Sequence, residues 1–198
     1  MQNFHSRTQL VFTPAFCVSS ALMFLIFPLK LVLSWFIAAL IHEICHYSML
    51  AFFKIPVYSV IVGMDGALMN TGPMRYKEEF LCSISGPIGG LLTLFFVRQF
   101  PLIALCSIMQ SIYNLLPIYP LDGGRAVRCL LVGLIKEPLG SNIHRGIETV
   151  TIILMCVACF AATFIWNFGC IPLIAAMILF FKSKTVKTAC KQRLQRVQ

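Results

Sequence analysis

His42-Glu43-Ile44-Cys45-His46 is the stretch of this sequence whose residue types and spacing could do chemistry. In a helix, His42 and His46 fall one turn apart on one face, with Glu43 beside both. Two imidazoles at that spacing can hold one zinc ion. The glutamate can then act as general base on a water that the ion activates. The motif lies inside an apolar run, between Leu-Ser-Trp-Phe-Ile-Ala-Ala-Leu-Ile and Met-Leu-Ala-Phe-Phe. Ionisable groups at membrane depth are costly and mark function by default.

A tetrahedral catalytic zinc needs a third protein ligand and one open position. The chain has seven acids. Asp65, Glu78, Glu79 and Glu137 read as solvated loop residues, and Glu148 as the start of a span. Asp122 alone reads as the broken end of a membrane helix, so it is the expected third ligand. Gly123 and Gly124 behind it would let the backbone turn. The bland alternatives are a chance pair of histidines on a helix face and a turn-forming Asp before two glycines. Membrane placement weighs against both, because each buried polar group must find a partner. A second class of function is a non-catalytic metal-binding membrane transporter or scaffold, since polar residues on broken helices also mark transport sites. The two halves show no inverted repeat, and a mere metal holder has no use for Glu43. His5 and His144 read as tail and loop histidines.

The elements that must position these residues are membrane spans. Of the 198 residues, 59% are hydrophobic and 12% charged, against about 25% charged in a soluble domain. The net charge of +9 comes from basic residues between and after the apolar runs. They read as topology signals and lipid contacts rather than a nucleic-acid surface. The nine cysteines lie mostly in apolar runs and read as small buried hydrophobes, Cys156-x-x-Cys159 included. Six spans are expected: residues 10–29, 31–53, 83–97, 101–116, 149–166 and 168–181, with Trp166 as an interfacial anchor. The first run is longer than the apolar core of a signal peptide, so a retained span is expected. Residues 57–71 are β-branched around an Asp65-Gly66 turn and predict a hairpin at the membrane surface or dipping toward the site. Residues 75–79 read as a solvated stretch, and residues 126–147 as a short interfacial helix and loop. Two prolines and two glycines between Asn114 and Arg125 break the fourth span. Such irregular backbone belongs where it lines a cavity or is buried in protein.

The expected fold class is therefore an all-α polytopic membrane protein of about six transmembrane helices with a small β-hairpin near the active site. It forms a single domain over residues 1–198, with a core at 30–130 and a basic tail at 182–198. Placing both termini in the cytoplasm puts Arg7, Lys54, Arg75, Lys77, Arg125, Arg128, Lys136, Arg145 and the basic tail inside. Only Lys30 and Arg98 then lie outside, as the positive-inside rule requires. The tail's six cations suit an anionic lipid surface or a partner.

Taken together, His42-Glu43-x-x-His46 and Asn114-x-x-Pro117-x-x-Pro120-Leu121-Asp122-Gly123-Gly124 resemble the site-2 protease family of intramembrane zinc metalloproteases. The resemblance covers about residues 30–130, Ser85-Gly86-Pro87 included. The six-span layout and short length are similar to the branch that processes a transcription-factor precursor in bacterial sporulation. The resemblance implies that His42, His46 and Asp122 hold Zn2+ and that Glu43 is the catalytic base. It also implies that Asn114, Pro117, Gly123 and Gly124 line the substrate side, the Asn114 amide orienting substrate or the developing oxyanion. The implied substrate is the transmembrane segment of a membrane-anchored protein, unwound before cleavage and held by the 57–71 hairpin through strand addition. The implied location is a bacterial cell membrane, with regulatory membrane proteins as further partners and no nucleic acid.

Overall fold

The computed structural model describes residues 9–63, 66–135 and 137–164. The expectations for Arg7, Asp65, Lys136, Trp166, the sixth span and the basic tail fall outside these residues. The chain forms two compact units, Met1–Asn114 and Leu115–Gln198.

The first unit opens with strand β1 (Gln9–Phe12) and helix α1 (Pro14–Ile26). Thr13 joins them. Its backbone N–H and its hydroxyl both donate to the Val62 carbonyl, at 3.0 and 3.1 Å. Its Oγ1 also accepts from the Phe16 N–H at 3.2 Å, as an N-cap should, and Pro14 follows at the first helical position. Helix α2 (Leu29–Phe52) carries the histidine motif. Its inward stripe, Ser34, Ala38, His42 and Leu50, recurs at helical spacing with the half-buried His46 between. The helix ends where Lys54 takes a φ of +56° and the Ile55 N–H returns to the Leu50 carbonyl at 2.9 Å, a left-handed cap that satisfies an orphan carbonyl.

Strands β2 (Val57–Gly63) and β3 (Gly66–Thr71) form the expected antiparallel hairpin. β1 adds to it in parallel, Gln9 opposite Ser59, so the sheet order is β1-β2-β3. Helix α3 (Tyr76–Leu92) follows, capped by the Glu78 carboxylate, which accepts from the Arg75 N–H at 2.9 Å. A short 3-10 segment (Thr93–Phe96) extends it, and α4 (Pro101–Asn114) completes the unit.

Small residues let these helices meet. A Cβ at Gly89 would fall 2.1 Å from Cys45 Sγ, so α2 crosses α3 there in near backbone contact. A Cβ at Gly90 would fall 2.2 Å from Ser111 Oγ and 3.2 Å from the Ser107 carbonyl, so α4 crosses one residue later. In a membrane, where lipid is as apolar as leucine, this close packing and interhelical hydrogen bonds replace the hydrophobic drive. The Gln110 amide supplies one such bond, donating to the Trp35 carbonyl at 3.1 Å.

The second unit holds the irregular segment 115–121, helix α5 (Asp122–Ile135) and helix α6 (Leu139–Phe164). Buried Ile118 and Leu121 pack with Leu116, Ile152 and Met155. The break expected between Asn114 and Arg125 is present, with two tight turns closed by Ile118 N–H to Leu116 O and Leu121 N–H to Ile118 O.

Among the described residues, three helical stretches are long and apolar enough to cross a membrane by length and composition: Leu29–Phe52, Tyr76–Phe96 and Leu139–Ala161. Large side chains on them face outward, Phe52 at 76% and Phe95 at 80% exposure, as a lipid-facing surface requires. The expected first span, 10–29, is instead a strand and a 13-residue helix, which at 1.5 Å per residue reaches about 20 Å, short of a bilayer core of about 30 Å. The third span starts at Tyr76 rather than Ser83, because Glu78 serves as a helix cap and not as a loop residue. The fifth starts at Leu139 rather than Thr149. The expected interfacial helix and loop at 126–147 is α5 together with the first turns of α6.

The Gly90 crossing yields a stability prediction. Gly90→Val should press Ser111 and the Ser107 carbonyl apart and cost about 1–3 kcal/mol, the usual penalty for overpacking. A lower midpoint of thermal unfolding in detergent, with helical content unchanged below it, is the expected result.

Candidate metal centre and active site

The site is built on the inward face of α2. His42 is buried and His46 half-buried. Their Nε2 atoms stand 3.1 Å apart, with the rings nearly perpendicular at 82°. The proton on the His46 ring follows from its neighbour. His46 Nδ1 lies 2.7 Å from the Cys82 carbonyl, which can only accept, so Nδ1 carries the proton and Nε2 the lone pair. The Asn114 side-chain amide lies 3.4 Å from His42 Nε2. Two ring nitrogens at this spacing on one helix face can share a single cation. Two nitrogens on one tetrahedral zinc, each about 2.0–2.1 Å from it, stand about 3.3 Å apart.

Helix α3 leaves the space. A Cβ on Gly86 would lie 2.3 Å from His46 Nε2 and 2.8 Å from His42 Nε2. The missing side chain is therefore the cradle beside both donors. The donor set and the cradle fit a divalent metal. Ser85 supports the arrangement: its hydroxyl donates to the Cys82 carbonyl at 2.7 Å and lies 3.4 Å from His46 Nδ1. A second layer that fixes ring orientation is the usual companion of a ligating imidazole.

Glu43, half-buried, points toward the sheet. Its Oε1 accepts from the Ala67 N–H at 3.3 Å. Gly66, with a φ of +115° that favours glycine, brings the start of β3 to this carboxylate; a Cβ there would lie 3.6 Å from the same oxygen. The hairpin thus dips toward the site, the second of the two positions its sequence allowed.

In the second unit, Asp122 is the first residue of α5. The N-terminal end of a helix favours a carboxylate. Gly123 and Gly124 behind it are buried, and their role differs from the expected turn. Both lie within the helix, pressed against the preceding segment: a Cβ on Gly123 would sit 2.1 Å from the Leu115 carbonyl oxygen, and one on Gly124 2.4 Å from the Ile118 carbonyl carbon. They allow close approach. Pro117 is half-buried in the same segment.

Several participants were not evident from the sequence. The Cys82 carbonyl, the Ser85 hydroxyl and the Ala67 N–H are backbone or small-residue contributions with no motif. Gly86 has no assigned role in the sequence reading. Its place in Ser85-Gly86-Pro87, just before Gly89-Gly90, was the available signal. His144 and Glu148, read as a loop histidine and a span boundary, are buried on α6 at 4% and 1% exposure.

Three comparisons with known proteins give matches. Residues 81–158 match the model of peptidase family M50. The matched stretch takes in Ser85-Gly86-Pro87, Asn114 and Asp122 and begins after the histidine motif. Among curated relatives, Stage IV sporulation protein FB of Bacillus subtilis is 28% identical over 183 residues, covering 84% of this chain and 60% of that protein. Zinc metalloprotease MJ0392 of Methanocaldococcus jannaschii is 25% identical over 136 residues, covering 60% of this chain and 40% of that one. The chain thus spans less than two thirds of the length of either relative. The solved structure of a site-2 protease from Methanocaldococcus jannaschii has the same fold, with a TM-score of 0.61 at 20% identity over 86% of this chain and 85% of that one.

The Gly86 cradle gives a direct test. Gly86→Ala raises helix propensity yet places a methyl group among the ligand nitrogens. Metal analysis of the purified variant should show loss of bound zinc, while circular dichroism keeps its helical signal.

Proposed function

We propose that this chain, which carries a peptidase family M50 (site-2 protease) domain, is an intramembrane zinc metalloendopeptidase that hydrolyses a peptide bond in or near the transmembrane segment of a membrane-anchored protein. The chain is an integral membrane protein, and residues 1–198 act as one proteolytic domain. The observation that carries the reading is the pair of imidazole nitrogens 3.1 Å apart on a membrane-length helix, with Glu43 as the next residue on that helix.

His42, His46 and Asp122 would hold the zinc. When bound, zinc supplies a Lewis acid for the scissile carbonyl and lowers the pKa of water toward about 7. The chain's own groups do the rest. Glu43 takes a proton as water adds to the carbonyl carbon. The same carboxylic acid then returns that proton to the amine as the C–N bond breaks, so the base is regenerated. The Asn114 amide, 3.4 Å from His42 Nε2, donates to the oxygen on which negative charge develops. Pro117 and the segment it stiffens, with Gly123 and Gly124 at its far end, border the substrate.

A helix hides its peptide bonds, so the substrate must be extended before it is cut. β3 is the outer strand of the sheet, and its Ala67 N–H already points at Glu43. A substrate strand laid along that edge would be delivered beside the base. The similarity to a sporulation protein motivates a transcription-factor precursor as substrate. The basic residues motivate an orientation with both termini in the cytoplasm of a bacterial cell membrane and a tail on anionic lipid or a regulatory membrane protein.

Three measurements test this reading. Glu43→Gln should keep zinc and fold while cleavage of a membrane-anchored substrate in proteoliposomes falls by about 10²–10⁴, the range for loss of a general base. Turnover close to wild type would remove Glu43 from its role. Stripping metal with a chelator should abolish cleavage, and stoichiometric zinc should restore it. Asp122→Ala should leave the purified protein without zinc.

A further inference from the structure

Glu148 is 1% exposed inside a helix that is long and apolar enough to cross a membrane, and the proposed mechanism does not use it. A carboxylate at such a depth needs a partner. His144, one turn earlier on the same face, is 4% exposed. With Gly140 before them and Ile152 and Met155 after, they form the stripe by which α6 packs on α5 and the segment before it.

The register of that packing is fixed at both ends. At one end, a Cβ on Gly140 would fall 2.9 Å from the Leu131 carbonyl oxygen and 3.0 Å from Val132 Cα. At the other, Ile152 and Met155 pack on Ile118 and Leu121. Glu148 lies about two turns beyond Gly140 and one before Ile152. Both anchors therefore bring it level with the first turn of α5, Asp122 to Arg125. Charge complementarity narrows the choice of partner within this unit. Among the described residues of this unit the cationic side chains are Arg125, Arg128 and Arg145. Arg128 is turned toward Glu137 at 3.8 Å, and Arg145 donates to Asn142 Oδ1 at 2.7 Å. Arg125 is half-buried in that first turn, and Asp122, Arg125, His144 and Glu148 are each engaged with a partner.

We propose that Glu148 is a positioning residue: with His144 beside it, its carboxylate holds the Arg125 guanidinium and so fixes the helical turn from which Asp122 projects. This rests on the reading of Asp122 as a zinc ligand. A carboxylate one layer behind a ligand acts by orienting it, and its loss lowers metal affinity without removing a ligand.

The test is zinc affinity by chelator competition on the full-length protein in detergent, with thermal unfolding of the metal-free form alongside. Glu148→Gln should bind zinc about 10–100-fold more weakly. Arg125→Gln should do the same, and the double variant should add little to either single one, as expected of one interaction. Leu154→Ala, on the outward face of the same helix, should leave zinc affinity within about twofold. Wild-type affinity in both Glu148→Gln and Arg125→Gln, with zinc lost in Asp122→Ala, overturns the positioning role and leaves the Asp122 assignment standing. Wild-type affinity in Asp122→Ala removes that assignment, and this proposal with it. If Glu148→Gln does not fold, Glu148→Asp carries the test: an intermediate loss of affinity supports the role, and an unchanged affinity overturns it.

Discussion

Two imidazole nitrogens facing each other across 3.1 Å are the constraint on which the first unit is built. That spacing suits two ligands of one metal ion. The Cys82 carbonyl fixes one ring and the Asn114 amide faces the other. Both come from helices packed against α2, so the histidines are oriented by tertiary structure and not by their own helix alone. The space beside them exists because Gly86 has no side chain.

That requirement runs through the helix packing. Gly86, Gly89 and Gly90 each cost about 1 kcal/mol of helix propensity relative to alanine. Each is spent where a side chain would collide: with the ligand nitrogens, with Cys45 and with Ser111. Leucine at these places would make a better isolated helix and would push α2 and α4 away from α3. The Cys82 carbonyl could then no longer reach His46 at 2.7 Å. Close approach of backbones and orientation of the ligands are thus one property of α3.

The sequence made the polar chemistry legible and left much of the scaffold unread. A His-Glu-x-x-His stretch inside an apolar run has few stable explanations, and the helix break before Asp122 follows from prolines and glycines in any context. The hairpin was legible from its β-branched residues. Its third strand was not: Gln9–Phe12 is an apolar stretch that continues into another, and parallel pairing with residues 59–62 leaves no local pattern. Thr13-Pro14, a good start signal for a helix, was the cue that the run is divided there. The start of α6 was missed because His144, Arg145 and Glu148 look solvated when counted as charges. Read at helical spacing, Gly140, His144, Glu148 and Ile152 form one stripe, and that stripe is the buried one.

The second unit solves a different problem, which is how to make a helix end rigid. The first residues of a helix lack intrahelical partners for their N–H groups and tend to fray. Here Gly123 and Gly124 lie against the backbone of residues 115–119, closer than any side chain would permit. The turn before them is pinned by Ile118 at 1% exposure and Leu121 at 5%. The Arg125 N–H bonds to the Leu121 carbonyl at 3.0 Å, so the helical ladder begins on a residue that is itself buried. Proline, glycine and buried aliphatic residues together give Asp122 a fixed backbone at a place where the chain is not regular. In hydrocarbon, irregular backbone is tolerated only when it is satisfied in this way, and the same contacts that satisfy it fix the backbone that carries Asp122.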